Sequence, residues 1–220
     1  MALIMDVVYL GHSSFKLRGK SASVVTDPFD SKMVGLKFSP TDAEIVTISH
    51  DHNDHNQAAR VKNVKKIVDG PGEYEIMGVS IIGIPAYHDD KKGQVRGTNT
   101  IYIYEMDGLR LAHLGDLGHT LGEELVEQIG DIDILMIPVG GKYTIGPKDA
   151  VTVVQAIDPY IVLPMHYKMD NMNPELSTEL APIDDFLSEV GLTVERLPKL
   201  SVKKEDLAEA SSRVVLLEKK

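Results

Sequence analysis

The chain has 220 residues, of which 43% are hydrophobic and 25% charged, with a net charge of -10. That composition excludes disordered, collagen-like and membrane-spanning classes, and the acidic balance weighs against a long-range pull toward nucleic acid or anionic lipid. With no cysteine, the chain cannot form disulfides or thiolate ligands, so a transition-metal site must be built from imidazole and carboxylate.

The first half reads as sheet. Short apolar runs at 5–10, 14–17 and 22–26 are punctuated by Gly11 and Gly19, and further runs follow at 44–48, 65–68, 74–84, 100–105 and 109–114, the last two joined by the tight-turn pair Asp107-Gly108. The second half alternates. Residues 121–129 have helical spacing, 132–137 form an apolar strand, and 147–157 form a helix opened by Pro147. A strand at 160–165, an amphipathic helix at 175–190 ended by Gly191, and strands at 192–197 and 214–217 complete the pattern. The Lys and Glu pattern of 199–209 predicts a solvated, mobile surface segment. The expectation is a single domain over 1–220 with a layered α/β sandwich, its two halves compatible with a weak internal duplication. The first residues lack a basic stretch followed by a long apolar one, and no run approaches the roughly 18 apolar residues of a membrane span, so a cytoplasmic location is expected. Exposed strand edges would allow a homo-oligomer.

The chemistry concentrates in Thr47-Ile48-Ser49-His50-Asp51-His52-Asn53-Asp54-His55, where an apolar strand runs into three histidines and an aspartate. Period-two alternation would turn His50 and His52 to one side, and a helix begun there would present Asp54 and His55 from its first turn. One segment could then feed two metals. Taken alone, His88 and His166 read as satisfied histidines at strand ends, and Asp27 and Asp116 as turn residues.

Together these residues resemble the metallo-β-lactamase superfamily. His-x-His-x-Asp-His after a strand is followed in order by Pro85-Ala86-Tyr87-His88, His113-Leu114-Gly115-Asp116 and Leu163-Pro164-Met165-His166, and preceded by Val24-Val25-Thr26-Asp27-Pro28. The resemblance implies a four-layer αββα sandwich. It implies that His50, His52 and His88 hold one ion, that Asp54, His55 and His166 hold a second, that Asp116 spans both, and that Asp27 supports the metal loop from behind. Two divalent ions, zinc foremost and manganese or iron(II) compatible, would activate a bridging hydroxide for hydrolysis, with Asp54 the catalytic residue that orients it. Gly11-His12-Ser13-Ser14-Phe15, Pro138-Val139-Gly140-Gly141 and Pro164-Met165-His166-Tyr167 are most similar to the lactonase- and phosphodiesterase-like branch. The substrate implied is a small lactone, ester or phosphorylated metabolite. A phosphodiesterase or nuclease on the same dinuclear site, and a non-catalytic metal-bearing binding module, are the alternatives.

The flavodiiron oxygen reductases of this fold carry glutamate where this chain has His52, which separates it from them. Candidate substrate contacts are His12, His119, Lys142, Tyr143, Tyr167 and Lys168, each in or beside one of these motifs. Lys142 and Lys168 would hold phosphate or carboxylate as point charges or stand solvated; His119 would either donate to a substrate oxygen or serve the local structure. His113 is expected to pack within its strand.

Overall fold

Every second residue along the central strands enters a different core. Among the residues that the computed structural model describes, 4–208 and 210–220, the strands are β1 (Met5–Gly11), β2 (Ser14–Arg18), β3 (Ser23–Thr26), β4 (Thr41–Asp42), β5 (Ile45–Thr47), β6 (Val61–Lys62), β7 (Lys66–Val68), β8 (Gly72–Ile76), β9 (Val79–Tyr87), β10 (Thr98–Met106), β11 (Leu109–His113), β12 (Ile134–Pro138), β13 (Ile161–Met165), β14 (Thr193–Leu197), β15 (Leu200–Val202) and β16 (Arg213–Leu217). The helices are α1 (Ser31–Val34), α2 (Glu123–Ile129), α3 (Pro147–Ile157), α4 (Pro174–Ser177) and α5 (Ile183–Val190). One sheet runs β15-β1-β2-β3-β5-β7 and the other β14-β16-β13-β12-β11-β10-β9-β8, with a separate β4-β6 pair.

Tyr102, Tyr104, Ile134 and Met136 point into the core between the sheets, where they meet Val7, Tyr9, Phe15 and Val24. Their neighbours Ile101, Ile103, Leu135 and Ile137 face the other way and pack under α2, α3 and α5. Val25, Val34, Val46 and Phe29 form a third core on the outer face of the first sheet. The layers are therefore helix, sheet, sheet, helix, and near-continuous apolar strands such as Ile134–Pro138 are buried on both faces, as parallel strands between layers must be. No helix among the described residues is long and apolar enough to cross a membrane.

Three expectations change in the structure. The run at 74–84 is two strands, β8 and β9, because Met77 and Gly78 both adopt positive φ (53° and 79°) and reverse the chain. The helix at 175–190 is two, α4 and α5. Pro182 lacks the N–H that a continuous helix needs, so it caps α5 instead, and the backbone before it donates from Ala181 N to Gly140 O at 2.8 Å. The segment at 199–209 is anchored rather than mobile: Leu200 and Val202 pair β15 to β1, and Leu200, Val202 and Leu207 are buried. Glu209 lies outside the described residues, as do Met1–3.

Strands β3 and β5 run parallel, as do β11, β12 and β13, so their carboxyl ends share one edge of the sandwich. Asp27 follows β3, residues 48–55 follow β5, Asp116 follows β11 and His166 follows β13. His88 joins them from the end of β9, and His12 from the β1–β2 turn. The fold thus brings residues far apart in sequence to a single rim.

Candidate metal centre

Four imidazoles converge on one carboxylate oxygen. His55 Nε2, His88 Nε2 and His166 Nε2 each lie 3.3 Å from Asp116 Oδ2, and His50 Nε2 lies 4.0 Å away. Ligand atoms of His50, His52 and His88 fall within 4.8 Å of one another, as do those of His12, Asp54, His55 and His166. The structure thus brings together the two triads that the resemblance implies, with His12 added to the second.

These groups lack the partners that buried polar atoms normally have. His50 Nε2, His55 Nε2, His88 Nδ1, His166 Nδ1 and Asp116 Oδ1 are all buried without a hydrogen-bond partner. Of these, His50 Nε2, His55 Nε2 and Asp116 Oδ1 belong to the converging groups; an unpaired buried polar atom costs roughly 1–3 kcal/mol, so three together call for a compensating ligand. A divalent cation fits that donor set; a water alone would not satisfy so many acceptors.

The backing of the site sets which nitrogen each imidazole offers. Asp27 accepts Ser49 N at 2.8 Å, Ser49 Oγ at 2.5 Å and His55 Nδ1 at 2.8 Å. Because Ser49 spends its proton on Asp27, its oxygen is an acceptor for His50 Nδ1, 2.9 Å away. One buried carboxylate therefore leaves the Nε2 lone pairs of both His50 and His55 facing the cavity, one directly and one through Ser49. Burial works to raise the Asp27 carboxyl, but the His55 hydrogen bond and the nearby His113 and His55 imidazoles hold it below the usual carboxylate range. Ser49→Ala is expected to weaken metal affinity about 10- to 100-fold in a chelator competition, with thermal stability little changed. Parent affinity in that variant would show that Ser49 does not set the His50 tautomer.

The segment after His50 is neither strand nor α-helix. β5 ends at Thr47, and a turn closed by His55 N to His52 O (2.8 Å) and Asn56 N to His52 O (3.0 Å) delivers the ligands. Its Asn and Asp side chains favour such turns over a helix, and Asp30 N donates to Asn53 O at 3.1 Å to hold the turn outward. His50 and His52 still converge, with ring centroids 4.5 Å apart.

Gly115 is required where Asp116 departs from β11. Its φ is +56°, and a Cβ there would collide with Asn99 Oδ1 and with the Ser49 side chain. That close approach lets Asn99 clamp the loop, accepting Asp116 N and donating to Leu114 O, each at 2.9 Å. Gly140 has no room for a Cβ against the His166 carbonyl.

The candidate substrate contacts separate. His12 is buried behind the site with its Nε2 3.2 Å from Asp54 Oδ2, an orienting position rather than a substrate-facing one. Burial, then His166, pushes its imidazole down to about 4, so it is neutral. His119 uses both nitrogens locally: Nδ1 donates to Thr120 O at 2.9 Å, and Nε2 accepts from Tyr87 N at 3.3 Å. Tyr167 is buried in the core, and burial raises its hydroxyl to about 12. Lys142 is paired with Glu179 at 2.5 Å, and exposed Lys168 contributes its backbone N–H to Ala181 O at 3.0 Å. Tyr143 lines a cavity of about 700 Å³ above the cluster, together with His52, Asp54, His88, Asp116, Met33, Leu176 and Arg96. His113 packs as expected, donating from Nε2 to Ser13 O at 2.8 Å and accepting Gly115 N at Nδ1.

Reading the sequence had singled out neither Ser49 nor Arg96. A larger depression of about 870 Å³ lies among Asp107, Asp131 and Asp158, where the parallel strands begin rather than end. Its most buried acid, Asp133, is taken up by Lys204 at 2.6 and 2.8 Å and by Arg110 N at 2.9 Å, so its oxygens are partnered, unlike Asp116 Oδ1.

The model of the β-lactamase superfamily domain matches residues 6–166, the span from β1 to His166. The UPF0173 metal-dependent hydrolase of Thermococcus onnurineus is 31% identical over 191 residues, covering 74% of this chain and 85% of that protein. A Thermotoga maritima structure of the metallo-β-lactamase superfamily superposes with a TM-score of 0.79 at 37% identity, over 97% of this chain and 98% of that one. The metallo hydrolase Igni18 of Ignicoccus hospitalis shares the fold at 21% identity and a TM-score of 0.69, over 98% and 95% of the two chains.

Proposed function

Because this chain belongs to the metallo-β-lactamase superfamily, and within it to the metal-dependent hydrolases, we propose that it hydrolyses a small lactone, ester or phosphorylated metabolite with two divalent ions held at its histidine rim. His50, His52 and His88 would hold one ion, Asp54, His55 and His166 the other, and Asp116 both. The carrying observation is the convergence of four imidazole nitrogens within 4.0 Å of Asp116 Oδ2, two of which, His50 Nε2 and His55 Nε2, are buried without a hydrogen-bond partner. Such ions supply Lewis acidity and a water whose pKa falls toward neutrality. Zinc suits the donor set and is the metal ascribed to the Thermotoga maritima protein, while manganese and iron(II) suit the same ligands.

The protein's own part is orientation. Burial tends to raise the Asp54 carboxyl, but His55 and His12 outweigh it and hold the group well below the usual range. Asp54 is therefore an anion at working pH, able to accept a hydrogen bond from the attacking water and aim it. His12 fixes that carboxylate through its Nε2–H, so the aim does not depend on substrate. Met33, Leu176 and Tyr143 give the cavity an apolar wall beside the metal rim.

A cavity of about 700 Å³ matches a small molecule, and Arg96 is its one lysine or arginine. A polymeric nucleic acid would need a basic track, which this rim does not offer. The test is metal content of protein purified without added metal, beside His50→Ala, with turnover on lactone, ester and phosphodiester panels. About two equivalents per chain, reduced in the variant together with turnover, is expected. Full activity in a variant that binds no metal would overturn the proposal.

A further inference from the structure

Arg96 is the single lysine or arginine facing a cavity otherwise lined by acids, imidazoles, asparagine amides and apolar groups. It is half-buried, and no carboxylate among the described residues lies within ion-pairing distance of it. Its guanidinium sits 5.0 Å over the Tyr143 ring and makes one hydrogen bond, from Nη2 to Lys142 O at 3.3 Å. An arginine has five N–H donors in a planar fork, so most of this one's hydrogen-bonding capacity is unused. Lys142, which lies beside it, has its charge answered by Glu179.

The loop that presents Arg96 is built around a single carboxylate. Asp89, immediately after His88, accepts four backbone donors: Lys91 N at 2.8 Å, Gly93 N at 2.9 Å, Val95 N at 3.0 Å and Arg96 N at 2.7 Å. His88 N to Gly97 O and Gly97 N to Gly93 O, both at 3.0 Å, close the loop on itself. The backbone of Arg96 is thus fixed relative to His88 before any ligand arrives, and the Tyr143 face limits where the guanidinium can go. Preorganisation of that kind reduces the entropy lost on binding and favours a planar oxyanion in the bidentate geometry that arginine selects.

We propose that Arg96, stacked on Tyr143 and set by the Asp89-centred loop, selects substrates that carry a carboxylate or phosphate group away from the bond being hydrolysed. This rests on the hydrolase reading above and narrows it: the substrate is a small anion, gripped at one end by Arg96 and cleaved at the other.

The test compares the parent with Arg96→Gln and Arg96→Lys on two aryl esters that differ in charge, mono-p-nitrophenyl succinate and p-nitrophenyl acetate. The ratio of kcat/KM for the succinate over the acetate ester should fall about 10- to 100-fold in Arg96→Gln, the loss of one charge-assisted contact, and less in Arg96→Lys, which keeps the charge but loses the fork. In parallel, the Arg96 Nε–H resonance is followed in metal-free protein titrated with succinate and with inorganic phosphate, which separates a carboxylate-selective from a phosphate-selective subsite. A saturable shift with either anion is expected. An unchanged ratio overturns the proposal. If neither ester is hydrolysed by metal-loaded protein, it is the ester-hydrolase reading that suffers, and the titration decides on Arg96: a saturable shift supports the subsite, and its absence with both anions overturns it.

Discussion

Asp116→Ala is expected to lower kcat/KM by at least about a thousandfold, or about 4 kcal/mol of transition-state stabilisation, and to reduce bound metal below one equivalent per chain. The reason is position. Asp116 Oδ2 is the atom toward which His55, His88 and His166 converge at 3.3 Å, so removing it would take the proposed shared anionic ligand from both halves of the cluster at once. Four buried imidazoles without that carboxylate would leave two dications poorly compensated. The fold should survive, because Asn99 holds this loop through the Asp116 backbone N–H and the Leu114 carbonyl, neither of which the substitution touches. Metal analysis, turnover and thermal unfolding of the same preparation check the three parts. Two equivalents of metal with parent turnover in Asp116→Ala would sink the proposed bridging role.

The histidines were legible because their chemistry is local in type even where it is distant in sequence. His50, His52 and His55 stand out within one segment, whereas His88, Asp116 and His166 each follow an apolar run but alone read as structural residues, and only the superfamily resemblance adds them to the set. What could not be read was anything decided by a partner elsewhere. Ser49 stands beside His50, yet its role depends on Asp27 lying within hydrogen-bond distance, which only the parallel β3–β5 pairing ensures. Lys142 looks like an anion handle until Glu179 is folded against it. Arg96 ends a stretch containing Lys91, Lys92 and Gln94 to which the sequence reading assigns no role, and only the four donors converging on Asp89 show that it is a built structure. His12 reads as a substrate contact because it lies in the Gly11–Phe15 motif expected near the metals; a φ of 55° instead turns it inward against Asp54. The misjudged elements have local causes instead. Pro182 interrupts a run whose amphipathic spacing spans it, and the Met77-Gly78 reversal lacks the usual Asn or Asp.

Stability of the metal-free protein is expected to peak near pH 6.5, and metal loading to remove the decline on the alkaline side. Burial, with help from nearby imidazoles, holds His12 down to about 4 and His50 down to about 3. Both are neutral in the folded protein where an unfolded histidine begins to take up a proton, near pH 6.5, so their contribution is full above that point and is lost as pH falls toward the folded values. His55 has the opposite sign. Burial disfavours its cation, but the Asp116 and Asp54 carboxylates outweigh burial and raise its pKa well above the usual imidazole range. Its contribution is therefore full below about pH 6.5 and is lost as pH rises through the raised folded value. Asp27, Asp54 and Asp116, all held low, act only below about pH 4 and leave this window untouched. Metal uptake displaces the proton from His55 and becomes more favourable as pH rises, so zinc-loaded protein should gain stability from about pH 6.5 to 8 where metal-free protein loses it. Thermal unfolding of chelator-dialysed and zinc-loaded protein between about pH 5 and 8.5 gives the two curves. His55→Gln should erase the alkaline decline of the metal-free protein and keep the acidic one. A metal-free parent whose Tm climbs steadily across the whole range would show that Asp116 and Asp54 do not hold a charge on His55, and the electrostatic basis for cation binding at that position would fall with it.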